Sequence, residues 1–574
     1  MAPLAASVAL AGILFALQAV GHGRNGNAPR QATLACDAGS FASVMPPGAA
    51  VEKVAIVAEG GNYGEGMSDE AYPWIPTGLP GLCAVTVRVQ SSPSSSFRFG
   101  LFLPSADRWK GRFLAVGNGG FSGGINWIDM APGPHNGMAS ISTDTGHNST
   151  ALETSWALRN PEARTDWGWR AMHGSIVLGK ALVSAYYNRP ISYSYFSGCS
   201  TGGRQGLREM QAFPDSFDGM LVGAPAWWTT HLSNWITKVG TYNFPVTSPH
   251  HIPMALAPFI ADQVRRQCDP QDGVTDDIVS DPLNCTFDPA PLLCPPVHSD
   301  PTLPATTSDP CLTPAQLTTL RHIYADYRSP TADQLIYPGL TLSSEPQWSL
   351  LLGDHTDPNA TSPSPSPFGT GYARNFLLDD PTWDWRRYDD ALVTLADELN
   401  PGHANADDFS SLRNYQSRGG KLLLYHGLAD GLVPTKGSLL FYNKTIDAFG
   451  GDIQAVTSFF KLLLVPGMQH CFNTDAHVQA PWNFGGATQA GAMGMGEWSV
   501  PGHRDAKHDA MMAMMEWVER GQEFKEVVAT AWNQLWNASS GERRQRPLCV
   551  WPGKAVWDGR GDVDDAGSWR CEGL

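Results

Sequence analysis

The residues best placed for chemistry in this chain are a serine, an aspartate and a histidine that each follow a strand-like run. Ser200 sits in Gly198-Cys199-Ser200-Thr201-Gly202, between the alternating aromatic run Tyr193-Ser-Tyr-Phe196 and Thr201 to Ala212, which has the composition of a helix. A serine at such a turn is displayed as a nucleophile, because glycines permit the sharp backbone and the hydroxyl stands at the head of the helix. The pattern alone is weak, since a chain with 59 glycines contains on the order of one chance match. A second copy, Gly120-Phe-Ser122-Gly-Gly124, runs on into Ile-Asn-Trp rather than a helix. The strand-like Arg112 to Val116 before it leads into Gly117-Asn-Gly-Gly120, a loop suited to offering backbone N–H groups to an oxyanion. Ser200 is therefore the expected nucleophile, with the N–H of Thr201 and one from Gly119 or Gly120 as oxyanion donors.

A serine hydroxyl needs a base, and the base needs an orienting carboxylate. Behind a strand-to-helix nucleophile the chain order is Ser, then Asp or Glu, then His, on loops after late strands. Lys421 to Tyr425 runs into His426-Gly-Leu-Ala-Asp430, and Phe459 to Val465 runs into Pro-Gly-Met-Gln-His470-Cys471. A lone histidine after a strand is usually structural. Chain order, loop position and the adjoining cysteine single out His470, with Asp430 as its partner, and His426 reads as a turn residue.

Ten cysteines in an exported chain imply five disulfides. Proximity pairs Cys36 with Cys83, Cys268 with Cys285, Cys294 with Cys311 and Cys549 with Cys571. That leaves Cys199 and Cys471, the neighbours of Ser200 and His470. A disulfide holds its Cα atoms roughly 4.4 to 6.8 Å apart and each adjacent residue adds at most about 3.8 Å. Ser200 and His470 would then have Cα atoms within roughly 15 Å, compatible with the hydrogen bond the chemistry requires.

Export is also read from Leu4 to Val20, an apolar run of signal-peptide length, which makes 1–21 the expected signal segment. Five sequons, at Asn148, Asn284, Asn359, Asn443 and Asn537, point the same way. A net charge of −16 argues against nucleic acid or an anionic membrane surface as partner. Nothing in the sequence argues against a homodimer.

The elements that must position the triad alternate: strands at Ala84–Val89, Phe113–Val116, 193–199 and 217–225, and a helix at Ala171–Tyr187. This predicts an α/β fold with a parallel sheet covered on both faces. From Trp227 to about Gly419 the pattern turns to Pro, Ser, Asp and aromatics, including Thr361-Ser-Pro-Ser-Pro-Ser-Pro367. We read 227–418 as an inserted lid, and 22–226 with 419–574 as the sheet domain, closed by a helix at 508–521. In that helix Met511, Met512, Met515 and Trp517 read as core. Trp227, Trp228 and Tyr242 open the lid and are read as pocket lining or core.

The Cys-Ser, Asp and His-Cys motifs together resemble the fungal tannase and feruloyl esterase family, as do Gly198-Cys-Ser-Thr-Gly-Gly-Arg-Gln-Gly206, Gly223-Ala-Pro-Ala-Trp-Trp228 and Cys268-Asp-Pro-Gln-Asp-Gly273. The resemblance covers nearly the whole mature chain and leans to the feruloyl esterase B branch. It implies an α/β-hydrolase fold with an inserted lid, a disulfide between the neighbours of nucleophile and histidine, no organic cofactor, and a phenolic-acid ester as substrate. Asp269-Pro-Gln-Asp272-Gly-Val274-Thr-Asp276-Asp-Ile278 alone reads as an acidic solvated turn. The resemblance instead implies a structural Ca²⁺ there, held by Asp269, Asp272, Asp276 and the carbonyls of Val274 and Ile278. A tannase acting on galloyl esters, a serine peptidase and an inactive binding protein on this fold remain as alternatives.

Overall fold

The apolar runs of the sequence become strands buried on both faces. The computed structural model describes residues 34–295, 310–330, 332–353, 355, 363–494 and 499–573; the expected signal segment and Asn359 lie outside these. The strands are β1 (Ala49–Val57), β2 (Leu82–Ser92), β3 (Ser95–Pro104), β4 (Arg112–Val116), β5 (Met138–Thr143), β6 (Tyr193–Cys199), β7 (Gly219–Gly223), β8 (Lys421–Gly427) and β9 (Phe460–Val465). They form one sheet in the order β1-β2-β3-β5-β4-β6-β7-β8-β9. β1, β2, β3 and β5 pair antiparallel along one edge, and every pairing from β5 through β4 to β9 is parallel.

Parallel strands must be covered on both sides, so their sequences are continuously apolar rather than alternating. In β8, Leu422 and Leu424 enter the core on one face while Leu423 and Tyr425 enter that on the other. Helices α1 (Ala171–Tyr187) and α2 (Thr201–Ala212) cover the first face with Ile176, Leu182, Leu207 and Met210.

The segment between β7 and β8 gives no strand to this sheet. It opens with α3 (Thr229–Asn243) and has its own buried cluster, including Leu232, Trp235, Ile260, Leu320 and Trp348. Trp227 is fully buried in the sheet-domain core, its indole N–H donating to Gly437 O (2.9 Å).

The second face is covered by α4 (Ala510–Arg520), where Met514, Met515 and Trp517 are buried and Met511 and Met512 pack against the same cluster. Complete burial of one such side chain stabilises by about 1.5–3 kcal/mol. The helix begins at Ala510 because the Asp509 carboxylate accepts the Met512 N–H, and it ends where Gly521 turns left-handed (φ 66°). It does not close the domain. A hairpin of β10 (Glu526–Gln534) and β11 (Asn537–Cys549) follows, which the sequence reading did not separate from its surroundings because β11 is mostly exposed and polar over its first half.

The cysteines pair as Cys36–Cys83, Cys199–Cys471, Cys268–Cys285, Cys294–Cys311 and Cys549–Cys571. Of the sequons, Asn148, Asn284, Asn443 and Asn537 are exposed.

Burial pushes several carboxyls upward: Asp129 and Asp509 to about 6, Asp144 and Glu345 to about 7. Such groups bind protons more tightly folded than unfolded, so stability falls as pH rises from the unfolded value, about 4, towards the folded one. The melting temperature should therefore decline between about pH 4 and pH 7. Glu345→Gln should flatten that decline; an unchanged slope in the variant would mean that Glu345 does not govern it.

Candidate active site

β6 ends at Cys199 and α2 begins at Thr201, so the whole reversal falls on Ser200, at φ 61° and ψ −123°. Few non-glycine residues sit there, and surrounding structure must hold one that does. The Ser200 N–H donates to Gly223 O (3.0 Å), and Ser200 O accepts from Arg204 and Ala226 N–H. The turn also requires glycine nearby: a Cβ on Gly198 would lie 2.8 Å from the Gly202 carbonyl carbon, and one on Gly117 2.5 Å from Gly202 Cα.

The Gly117–Gly120 loop is clamped to α2. Gln205 Oε1 accepts the Asn118 N–H (3.0 Å) and Gln205 Nε2 donates to Asn118 Oδ1 (3.2 Å). Of the two glycines expected to supply an oxyanion donor, Gly119 is already committed, its N–H donating to the Tyr72 hydroxyl (2.9 Å). The N–H groups of Gly120 and Thr201 have no acceptor among the described residues. Of the two alternatives, Gly120 is therefore the one whose N–H stands without an acceptor among the described residues. Tyr72 carries no signal in the sequence, since it reaches the loop only through the tertiary fold. Ser122, the serine of the second Gly-x-Ser-x-Gly, is buried in this loop.

Asp430 and His470 lie on the loops after β8 and β9. Asp430 is completely buried, yet both oxygens are satisfied: Oδ1 accepts the N–H of Leu432 and Val433 (2.8 Å each), and Oδ2 accepts from His470 Nδ1 (2.7 Å) and His426 Nε2 (2.9 Å). Burial opposes its ionisation, but the charge of His470 and the hydrogen bonds from His426 and His470 outweigh it. They hold the carboxyl well below the usual range. His470 Nδ1 thus carries the proton, which leaves Nε2 as the basic nitrogen. Nε2 is buried and has no partner, and the Ser200–His470 hydrogen bond is not formed in this arrangement. The Cys199–Cys471 disulfide joins the two adjoining loops with Cα atoms 5.8 Å apart.

Two positioning contacts were not legible in the sequence. His426 is no simple turn residue: its Nε2 faces the acceptors Asp430 Oδ2 and Val433 O (both 2.9 Å), while Nδ1 meets the Ser438 hydroxyl (2.7 Å). Its i, i+4 spacing from Asp430 was the available signal. Gln347, from the segment between β7 and β8, places Oε1 3.0 Å from both Gly431 N and His470 N, so one amide accepts from the two loops that carry Asp430 and His470.

Against Ser200 and Thr201 lies an apolar pocket lined by Phe121, Trp167, Leu232, Ile236, Phe368 and Val433, with Thr229 and Ser233 as its other hydroxyl-bearing side chains. Trp227, Trp228 and Tyr242 do not line it.

The family model for tannase and feruloyl esterase matches residues 83–572. The chain belongs to that family. The probable feruloyl esterase B-2 of Aspergillus terreus is 31% identical over 497 residues, covering 85% of this chain and 86% of the relative. The probable feruloyl esterase B of Emericella nidulans is 30% identical over 493 residues, with the same coverage. The crystal structure of feruloyl esterase B from Aspergillus oryzae superposes with a TM-score of 0.82 at 27% identity, covering 93% of this chain and 99% of that one. Tannin acyl hydrolase from Aspergillus niger shares the fold, at a TM-score of 0.69 and 21% identity over 93% of this chain and 94% of that one. The protein is a carboxylic ester hydrolase with an α/β-hydrolase fold.

The acidic loop fits a hard cation chemically. Asp269, Asp272 and Asp276 turn about Gly273 (φ 89°), and the carbonyls of Val274 and Ile278, in nearly fully buried residues, accept no hydrogen bond from the described protein. Burial and then neighbouring acids are among the causes that raise Asp269 and Asp272. Of these three carboxylates, Asp276 is paired with Arg546, 2.6 Å from its Oδ2, and Arg544 donates to the Asp276 carbonyl (3.1 Å). Three carboxylates and two free carbonyls are an oxygen donor set of the Ca²⁺ type.

Gln347→Leu keeps the volume but strands the N–H groups of Gly431 and His470, and each unmet donor costs about 1–3 kcal/mol. The variant should lose kcat about tenfold or more with a smaller change in KM. Wild-type kcat in a folded variant would mean that the loops are held without it.

Proposed function

We propose that this family member is an extracellular serine esterase that hydrolyses feruloyl and related hydroxycinnamoyl esters of plant cell-wall polysaccharide, with Ser200, Asp430 and His470 as its triad. The observation that carries the reading is the pocket beside Ser200, apolar on most sides. Thr229 already donates to Ala226 O (3.1 Å). The hydroxyls of Ser233 and Thr201 have no hydrogen-bond partner among the described residues, which leaves two free hydroxyls to meet ring hydroxyls. A galloyl ring brings three hydroxyls, and each left unmatched costs about 1–3 kcal/mol.

His470 Nε2 takes the proton as Ser200 Oγ attacks the ester carbonyl, and Asp430 steadies the imidazolium. The N–H groups of Thr201 and Gly120 receive the oxyanion. His470 then protonates the departing alcohol, and water clears the acyl-enzyme by the same route. Residues 227–418 act as the lid: Leu232, Ser233, Ile236 and Phe368 wall the acyl pocket, and Gln347 reaches the catalytic loops. A Ca²⁺ held by Asp269, Asp272, Asp276 and the carbonyls of Val274 and Ile278 would order that lid and take no part in the chemistry. Five disulfides favour an oxidising, extracellular setting. No described helix is long and apolar enough to cross a membrane.

Initial rates on the methyl esters of ferulic, p-coumaric, caffeic and gallic acids should place methyl ferulate about tenfold or more above methyl gallate in kcat/KM. The reverse order would make the enzyme a tannase, and cleavage of peptides in preference to all four would make it a peptidase. Ser200→Ala and His470→Ala should each lower kcat on the order of 10⁶-fold; a tenth of wild-type activity in either would remove that residue from the triad.

Calcium chelation should lower the melting temperature while leaving kcat/KM nearly unchanged well below it, and Asp272→Asn should abolish the response. A chelator that leaves melting untouched in the wild type would return the loop to a solvated turn.

A further inference from the structure

Outside the active site and the acidic loop, two imidazoles stand face to face on the segment leading into α4. We propose that His503 and His508, with Asp505 and Glu542, form a site for one divalent transition-metal ion of the zinc class. Their ring centroids are 4.0 Å apart, with planes inclined by 26°. One ligand atom from each of His503, Asp505 and His508 lies within 4.8 Å of the other two, the one such group among the described residues. Glu542, on β11, brings Oε1 to 2.7 Å from His503 Nε2, and Asp505 Oδ1 is 2.8 Å from His508 Nδ1.

One doubly charged ion held by His503, Asp505 and His508, with Glu542 beside His503, would engage all four side chains together. Two nitrogens and two oxygens suit Zn²⁺ and its first-row neighbours, whereas Ca²⁺ and Mg²⁺ take oxygen alone. The ligands are also set in place beforehand. Asp505 Oδ1 accepts the N–H of Lys507 (2.9 Å) and His508 (3.1 Å), and the His503 N–H donates to Val500 O (3.0 Å). The imidazoles are mostly buried, while Asp505 and Glu542 are about half exposed and leave a path from solvent. Because Glu542 belongs to the hairpin, the ion would tie the segment before α4 to β11.

The test uses the full-length protein, stripped with chelator, then dialysed against micromolar Zn²⁺ with Ca²⁺ in excess. Elemental analysis should find one equivalent of zinc, accompanied by a rise in melting temperature. His503→Gln with His508→Gln should lose both the zinc and the rise, keeping esterase activity, and Asp272→Asn should keep both. Should the double variant melt lower even without zinc, His508→Gln alone decides: zinc affinity at least tenfold weaker supports the site, and wild-type affinity overturns it. A wild-type protein that takes up no zinc, or a double variant that binds as much as the wild type, also overturns it.

Discussion

A carboxylate with no exposure to water is tolerated only when its lone pairs are met by donors, and the structure around Asp430 is arranged to meet them. Two backbone N–H groups of its own loop serve one oxygen, and two imidazoles converge on the other. Each donor has a further anchor. Ser438 holds the far side of His426, and Gln347 fixes the backbone of the His470 loop against that of the Asp430 loop. Removing any of the four donors leaves a charge buried with an unmet lone pair. Asp430 is accordingly among the positions least able to change independently of their neighbours.

The same economy of position governs the serine. The sheet brings the ends of β6, β8 and β9 to one side, but only to the resolution of strand spacing, about 4.8 Å. Closer placement falls to the Cys199–Cys471 bridge, which joins loops 272 residues apart in sequence. By cross-linking so distant a pair it also restricts the unfolded chain more than the four shorter links do. Its position next to both Ser200 and His470 makes a stability element a geometric one too.

What the sequence revealed follows from which constraints are local. The Ser200 turn was readable because glycine is required there for close backbone approach, and the buried strands because parallel pairing demands unbroken apolar runs such as 421–425. Asp430 and His470 were readable by chain order. Tyr72 and Gln347 were not, because each acts on a backbone group far away in sequence, and a lone tyrosine or glutamine has no period or spacing to betray it. His426 was misread for a related reason: two ring nitrogens have separate partners, and only three-dimensional placement identifies them. The choice between Gly119 and Gly120 likewise turned on a tyrosine remote in sequence.

The hairpin after α4 was the least visible element, yet it binds the parts together. Arg546 forms a buried ion pair with Asp276 and lies over the Trp569 ring, while Arg544 donates to Asp276 O, so β11 grips the acidic loop of the inserted segment. β10 holds the stretch after His470 through reciprocal backbone bonds between Thr530 and Asn483. A buried Arg–Asp pair gains little net stability over apolar contact, because desolvation offsets most of the attraction. What it provides is register: neither charge can be left alone, so the acidic loop has one seat on the hairpin. The segment between β7 and β8 is thereby fixed at two points, at Gln347 beside the loops that carry Asp430 and His470 and at Asp276 on the far hairpin. The shape of the pocket beside Ser200 and the placement of Asp430 and His470 become consequences of a single packing arrangement rather than two.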